Sequence, residues 1–288
     1  MRAPRCPAGV AVREGAGFRW FRRVALTVVA LFTAAPLWVI VSSSIVPPAD
    51  VRGPFHWIPR SVTLAPYLDT WATTGLGRSL VNSVVVAAAA TAASVVVAVF
   101  AAYAIARFDF AGRRAFGLLV LSTQVMPAMV VFLPLFVVYA AFDRWWGIGL
   151  IGSHGGLILT YLAFSLPVCI WVLTGVFADV RRDLEDAAAM DGLGRVGTLL
   201  RVVLPIARPA LAAVAVLSFA LAWGEVMMAS VLTTQDTRTV AVGLQSYLSA
   251  PSVQWNQLMA ACVISSIPAV AGFVAIRRYL MRGWTHPL

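Results

Sequence analysis

Residues 184–211 read LEDAAAMDGLGRVGTLLRVVLPIARPAL, a polar insert between two long apolar runs. With Asp183 before it, the insert opens on an acidic turn, and carboxylates there favour the positive end of a helix. Ala187, Ala188 and Ala189 carry almost no side chain, so another surface can approach closely. Gly192 lets the backbone turn out of the helix. Leu199, Leu200 and Val203 then make an apolar stripe, and Pro205 and Pro209 limit further helix before the next apolar run. Such a helix–break–helix suits a docking element. Composition alone also allows an amphipathic connector.

The surrounding chain reads as a membrane protein. It has 288 residues, 60% hydrophobic and only 12% charged. A soluble domain carries about 25% charged residues. Mean hydropathy is +0.86. The net charge of +10 admits nucleic acid or an anionic membrane as a partner. No basic run is interleaved with aromatics, so nucleic acid is set aside. Cys6, Cys169 and Cys262 are too far apart to form a metal or disulfide framework. His56, His154 and His286 are isolated, and no metal or cofactor is expected. No glycine-rich phosphate-binding loop is present, so this chain is not expected to hydrolyse ATP itself.

Outward from the insert, the expected architecture is all-α, with six transmembrane helices. A tail at 1–23 precedes a first span at 24–46, long enough to cross a bilayer that needs about 20 residues. A proline-rich extracytoplasmic loop follows at 47–77, then a five-helix domain at 78–277 and a tail at 278–288. Within that domain the spans are read at about 79–106, 115–141 (broken by Pro127 and Pro134), 155–177, 209–233 and 258–276. The loop 178–208 contains the insert. Arginine is the only strongly basic residue used, and its placement is lopsided. Seventeen arginines fall in the N-terminal tail, the 107–114 turn, the 178–208 loop and the C-terminal stretch from Arg277, against five in the other loops. Positive charge gathers on the cytoplasmic side, so both termini and the insert are expected there.

At the insert the chain resembles the permease subunits of type-I ABC importers. Their signature is Glu-Ala-Ala, three residues, Gly, nine residues, Ile-x-Leu-Pro. Here it falls on Asp186-Ala187-Ala188, Gly192 and Val202-Val203-Leu204-Pro205. The spacing is kept, and Asp191-Gly192 also fits. Asp186 replaces Glu, Val202 replaces Ile, and Arg181-Arg182 stands where relatives often have Ile-Pro. Further landmarks are similar to sugar permeases of the maltose-transporter type, notably the smaller of the two permeases. They include Asn82-Ser83, Tyr103-Ala104-Ile105-Ala106-Arg107-Phe108, Pro134-Leu135-Phe136 and Ser165-Leu166-Pro167. Trp223-Gly224-Glu225, Arg238-Thr239-Val240 and Arg278-Tyr279-Leu280 complete them in order.

The resemblance implies half of a translocation pathway for a sugar or oligosaccharide. It also implies a second, non-identical permease, a cytoplasmic ATPase dimer and an extracellular solute-binding lipoprotein. A permease for another solute, or a secondary carrier without ATP coupling, are the competing readings. The residues expected to couple to the ATPase are Glu185, Asp186, Ala187, Ala188, Asp191, Gly192, Leu204 and Pro205. Glu185 or Asp186 is expected to pair with a basic residue of the ATPase. Candidates for the translocation path are Glu225, Asn82, Gln124 and Trp223. A charge such as Glu225 at mid-membrane costs ~2.5–3.5 kcal/mol, so it should face the bundle interior or a water-filled path.

Overall fold

The computed structural model describes residues 15–51, 53–54, 56–248 and 253–282. The expected tails therefore fall partly outside the described residues, with Arg2, Arg5, Arg13 and the ending from Gly283; so does Arg52.

Every described element is helical. The chain runs through α1 (Ala16–Ser44), α2 (Pro48–Val51), α3 (Ala65–Thr73), α4 (Leu76–Arg107), α5 (Arg113–Ser122) and α6 (Ala128–Trp146). It continues through α7 (His154–Asp179), α8 (Arg182–Met190), α9 (Arg195–Thr198), a π-helical turn (Leu199–Val203) and α10 (Leu204–Ile206). The last elements are α11 (Arg208–Trp223), α12 (Met227–Leu232), α13 (Val240–Leu248) and α14 (Trp255–Arg282).

Four stretches are long and apolar enough to cross a bilayer: Gly17–Ser44, Leu76–Arg107, His154–Asp179 and Trp255–Arg277. A fifth is the pair Arg195–Ile206 and Arg208–Trp223, bent by 82° between its halves. The span read at 115–141, with breaks expected at Pro127 and Pro134, divides into α5 and α6 ahead of Pro127, whereas Pro134 lies inside α6 without breaking it. Pro127 is the reason: it lacks an amide hydrogen and pushes the residue before it out of the α region, and it stands at the N-cap of α6. The span expected at 209–233 is likewise interrupted, between Trp223 and Met227. The 234–257 loop contains α13, and most of the 178–208 loop is helical.

The core is α4 against α7. The face that α4 buries includes Ala87, Ala90, Ser94, Ala98, Ala102 and Ala106. Its outer face carries Val81, Val85, Val96 and Phe100, all exposed. Small residues inside and large ones outside is the pattern of a helix in lipid. There the solvent is as apolar as the core, so close van der Waals packing drives association. The hydroxyls of Ser94 and Ser165 meet at 2.7 Å across this interface, both buried. Toward one end, Leu173 and Phe177 of α7 pack with Leu199 and Val203 of the π-helical turn. α1 packs along α14 and otherwise exposes its large apolar side chains, among them Leu31 and Phe32.

Candidate functional site

The insert folds as α8, a turn, and a second helical stretch that bends into α11. α8 begins with Asp183 and Glu185 in its first turn. The Arg181 guanidinium, 2.7 Å from Asp183, holds that carboxyl below its ordinary value. α8 ends in a Schellman motif. Gly192 has φ +84, its amide donates to Ala189 O, and Leu193 N donates to Ala188 O, both at 3.0 Å. Gly192 is thus required by backbone conformation, and a Cβ placed there would meet nothing within 4 Å. Further on, Pro205 has no amide to return to the carbonyl of Arg201. The backbone winds wide there, with Leu204 N bonded to Leu199 O.

The faces of α8 divide its residues cleanly. Asp186, Ala187, Asp191 and Gly192 are exposed, and Met190 is 90% exposed. Ala188 is buried. Leu204 and Pro205 are half-buried in the bend. Of the expected apolar stripe, Leu199 and Val203 enter the core, whereas Leu200 is exposed. Glu185 turns inward. Its side chain is only 10% exposed and lies 2.6 Å from Arg107 Nε, whose side chain is 5% exposed. Tyr103 donates its hydroxyl to the other Glu185 oxygen at 2.9 Å. Arg107 also donates to Val180 O at 2.7 Å, at the junction of α7 and α8. Beside this cluster, the Arg195 guanidinium sits 5.5 Å over the Phe108 ring. The Tyr103–Phe108 landmark is therefore the inner mount of α8. Sequence reading missed the partnership, although an arginine closing an apolar span was a visible signal that a carboxylate would meet it.

A second pair of landmarks meets at the opposite end of α4. Asn82 donates to the carbonyls of Asp236 and Arg238 at 2.9 and 3.1 Å, and its Oδ1 lies 3.0 Å from His154 Nε2. Ser83 accepts from Val240 N at 2.7 Å. Arg238 donates to Ser79 Oγ at 3.2 Å and to the Thr74 carbonyl. Asn82 is buried, with its amide fully engaged in this clasp.

The remaining path candidates lie at breaks. Glu225 stands between α11 and α12, where its carboxylate accepts from Met228 N at 2.8 Å and Ala229 N at 3.0 Å. Tyr161 donates to it at 3.2 Å. The carboxylate thus supplies acceptors to the free amides that the interruption creates. Trp223, half-buried, stacks on Phe219 with ring centroids 5.4 Å apart. Gln124 lies in the α5–α6 break, exposed, and donates to Phe164 O at 3.3 Å. Among the described residues no group of three or more His, Cys, Asp or Glu is placed to hold a metal ion.

Comparison with known proteins identifies the fold and the family. The family model described as "Binding-protein-dependent transport system inner membrane component" matches residues 94–286. The sulfoquinovosyl glycerol transport system permease protein SmoH of Agrobacterium fabrum is 32% identical over 273 residues, covering 94% of this chain and 93% of that one. The trehalose/maltose transport system permease protein MalG of Thermococcus litoralis is 31% identical over 255 residues, covering 86% of this chain and 88% of that one. A chain of a bacterial ABC transporter involved in the import of the acidic polysaccharide alginate superposes with a TM-score of 0.76. That match has 23% identity and covers 92% of this chain and 98% of that chain. It establishes a shared fold. The chain belongs to the binding-protein-dependent transport system inner membrane components, a family of multi-pass membrane permeases.

Proposed function

We propose that this chain is one permease of an ABC importer for a sugar or oligosaccharide, and that α8 is the helix on which a separate ATPase pulls. The observation that carries this is the outward face of α8. Asp186, Ala187, Met190 and Asp191 are exposed together on a short helix whose other face is anchored in the core. Small Ala187 permits close approach, Met190 supplies an adaptable apolar contact, and Asp186 supplies a charge for a basic partner. Glu185 is committed inward to Arg107 and Tyr103, so the ATPase contact falls to Asp186 and its neighbours.

The arginine distribution supports an orientation with α8 and both termini in the cytoplasm. Six crossings follow if α5 and α6 together make one interrupted span and the bent α11 another. A second, non-identical permease completes the pathway, and an extracellular binding protein delivers the solute to the loops around Asn82 and Arg238. The broken helix at Trp223-Gly224-Glu225 lies on that path. Irregular backbone at membrane depth is tolerated where it is buried in protein or lines a cavity, and Glu225 and Trp223 offer a polar and an aromatic group there. Gln124, at the other break, is a further path residue. Asn82 contributes by fixing the outer clasp.

The names of relatives support carbohydrate as the cargo: besides those for sulfoquinovosyl glycerol and trehalose/maltose, one is a diacetylchitobiose uptake system permease of Streptomyces coelicolor, 31% identical. A second reading has its own support. A permease for osmoprotective compounds from Synechocystis is 30% identical over 269 residues. Uptake of labelled sugars and of compatible solutes by a deletion strain separates the two. Loss of uptake of one sugar class is expected; normal sugar uptake with lost compatible-solute uptake would overturn the carbohydrate assignment.

A further inference from the structure

We infer that α4 is the connecting rod of this permease, clamped to α8 by Arg107, Glu185 and Tyr103, which act as positioning residues for coupling. The inference rests on the reading of α8 as the ATPase-docking helix and adds the route by which its motion leaves it.

Chain connectivity joins α8 to α7 and, through the second helical stretch, to α11. Connectivity through a turn such as Asp191–Gly194 transmits little, because a turn bends. The Arg107–Glu185 pair is different. Both side chains are almost wholly withdrawn from solvent. Separating them strands a buried charge on each side, so the pair resists opening far more than an exposed one. Arg107 Nη2 holds Val180 O at 2.7 Å, which ties the α7–α8 junction to the same residue. Tyr103, one turn earlier on α4, holds the second oxygen of Glu185. Three contacts thus fix the position and the rotation of α8 relative to α4.

The far end of α4 is held just as firmly. Ser79, Asn82 and Ser83 bind the 236–240 segment through Arg238 and through backbone groups. A 32-residue helix joins the two clamps. At 1.5 Å per residue such a helix spans roughly 48 Å, enough to cross the bilayer. Displacing α8 therefore displaces the 234–240 loop on the opposite side without requiring a change within α4.

The test uses the full chain with its ATPase and companion permease in nanodiscs, with Cys6, Cys169 and Cys262 replaced by Ala. Spin labels go on the exposed positions Phe100 of α4 and Ala189 of α8, one on each of the two clamped helices. The expected result is one narrow distance distribution, unchanged between nucleotide-free and ATP-bound states. Glu185→Gln broadens it, and Tyr103→Phe broadens it less. In the same preparations, ATP hydrolysed per solute moved rises about tenfold for Glu185→Gln, a factor within the usual span of site-to-site coupling. A distance that shifts with nucleotide overturns the proposal, as do distributions equally narrow in both variants. The chain alone in nanodiscs repeats the two substitutions without any ATPase, so failure of the docking reading leaves the clamp test standing. Tyr103→Phe removes only a hydroxyl and remains informative if Glu185→Gln does not fold.

Discussion

Gly156 and Gly192 resist substitution for different reasons. A Cβ on Gly156 would lie 2.0 Å from the carbonyl oxygen of Leu150, so backbone must move to admit it. Gly156→Ala is expected to lower stability by about 1–3 kcal/mol, the usual cost of overpacking, read as a fall in the thermal midpoint of the detergent-purified chain. A midpoint equal to that of the unsubstituted chain would show that the 147–152 loop yields freely. Gly192 has open space around it but a left-handed φ of +84. Gly192→Ala is expected to cost about 1–2 kcal/mol of local strain and to unwind the α8 exit while leaving the core intact. Hydrogen exchange at Gly192 and Leu193, which donate the Schellman bonds, checks this: their protection falls while that of α7 is unchanged. Arg107→Ala leaves Glu185 buried without its cation and is expected to cost about 3–5 kcal/mol. Replacing exposed Arg114 by Ala serves as the comparison and should stay within about 0.5 kcal/mol. At this scale the sequence was legible where a residue's chemistry is local. Gly192 announces its turn. The inward rotation of Glu185 depends on Arg107, 78 positions earlier, and only the fold brings them together.

Among the elements, the link from α6 to α7 has the clearest acid response. Asp143 accepts from Leu150 N at 2.6 Å and Ile151 N at 2.9 Å, closing a loop that contains Gly147 and Gly149, both at positive φ. The Ile151 and Leu150 amides hold the Asp143 carboxyl below its ordinary value. A folded carboxyl that titrates below its unfolded value stabilises fully above the ordinary aspartate range. That contribution is lost as the pH falls through the lowered value. Protection of the Leu150 and Ile151 amides from exchange is therefore expected to be constant at neutral pH and to fade in acid, and Asp143→Asn should abolish that dependence. Protection that rises in acid would contradict the clamp. The long apolar elements α1, α4, α7 and α14 were readable from hydropathy because each runs as one continuous helix, with Pro36, Pro167 and Pro268 accommodated inside α1, α7 and α14. The interruptions were placed only in part from sequence. Pro127 and Pro134 both read as breaks in one apolar run, yet only Pro127 marks one, at the N-cap of α6, while Pro134 is accommodated inside α6. Gly224 gives no stronger signal than other glycines, and the Glu225 carboxylate that caps the following turn becomes visible only when the amides of Met228 and Ala229 converge on it.

Across the whole molecule, the two ends of α4 gather three of the seven landmark segments that the resemblance rests on, with Tyr103, Arg107 and Phe108 at one end and Asn82, Ser83 and Arg238 at the other. Their order along the chain was readable; their pairing across the bundle was not. The topology makes a simple prediction. A membrane-impermeant maleimide applied to whole cells is expected to label a cysteine placed at exposed Trp146, and to label one placed at exposed Met190 only after permeabilisation. The reverse pattern would invert the orientation and remove α8 from the side where ATP is available. Docking on α8 is tested most directly by retention of the ATPase by the purified permease, together with ATP-driven uptake, in the Asp186→Arg variant. Asp186 is exposed and outside the core, so its replacement leaves the fold intact. The expected outcome is a folded permease that retains little ATPase and shows no ATP-driven uptake; ATPase retention and uptake at the level of the unsubstituted chain would contradict docking on α8.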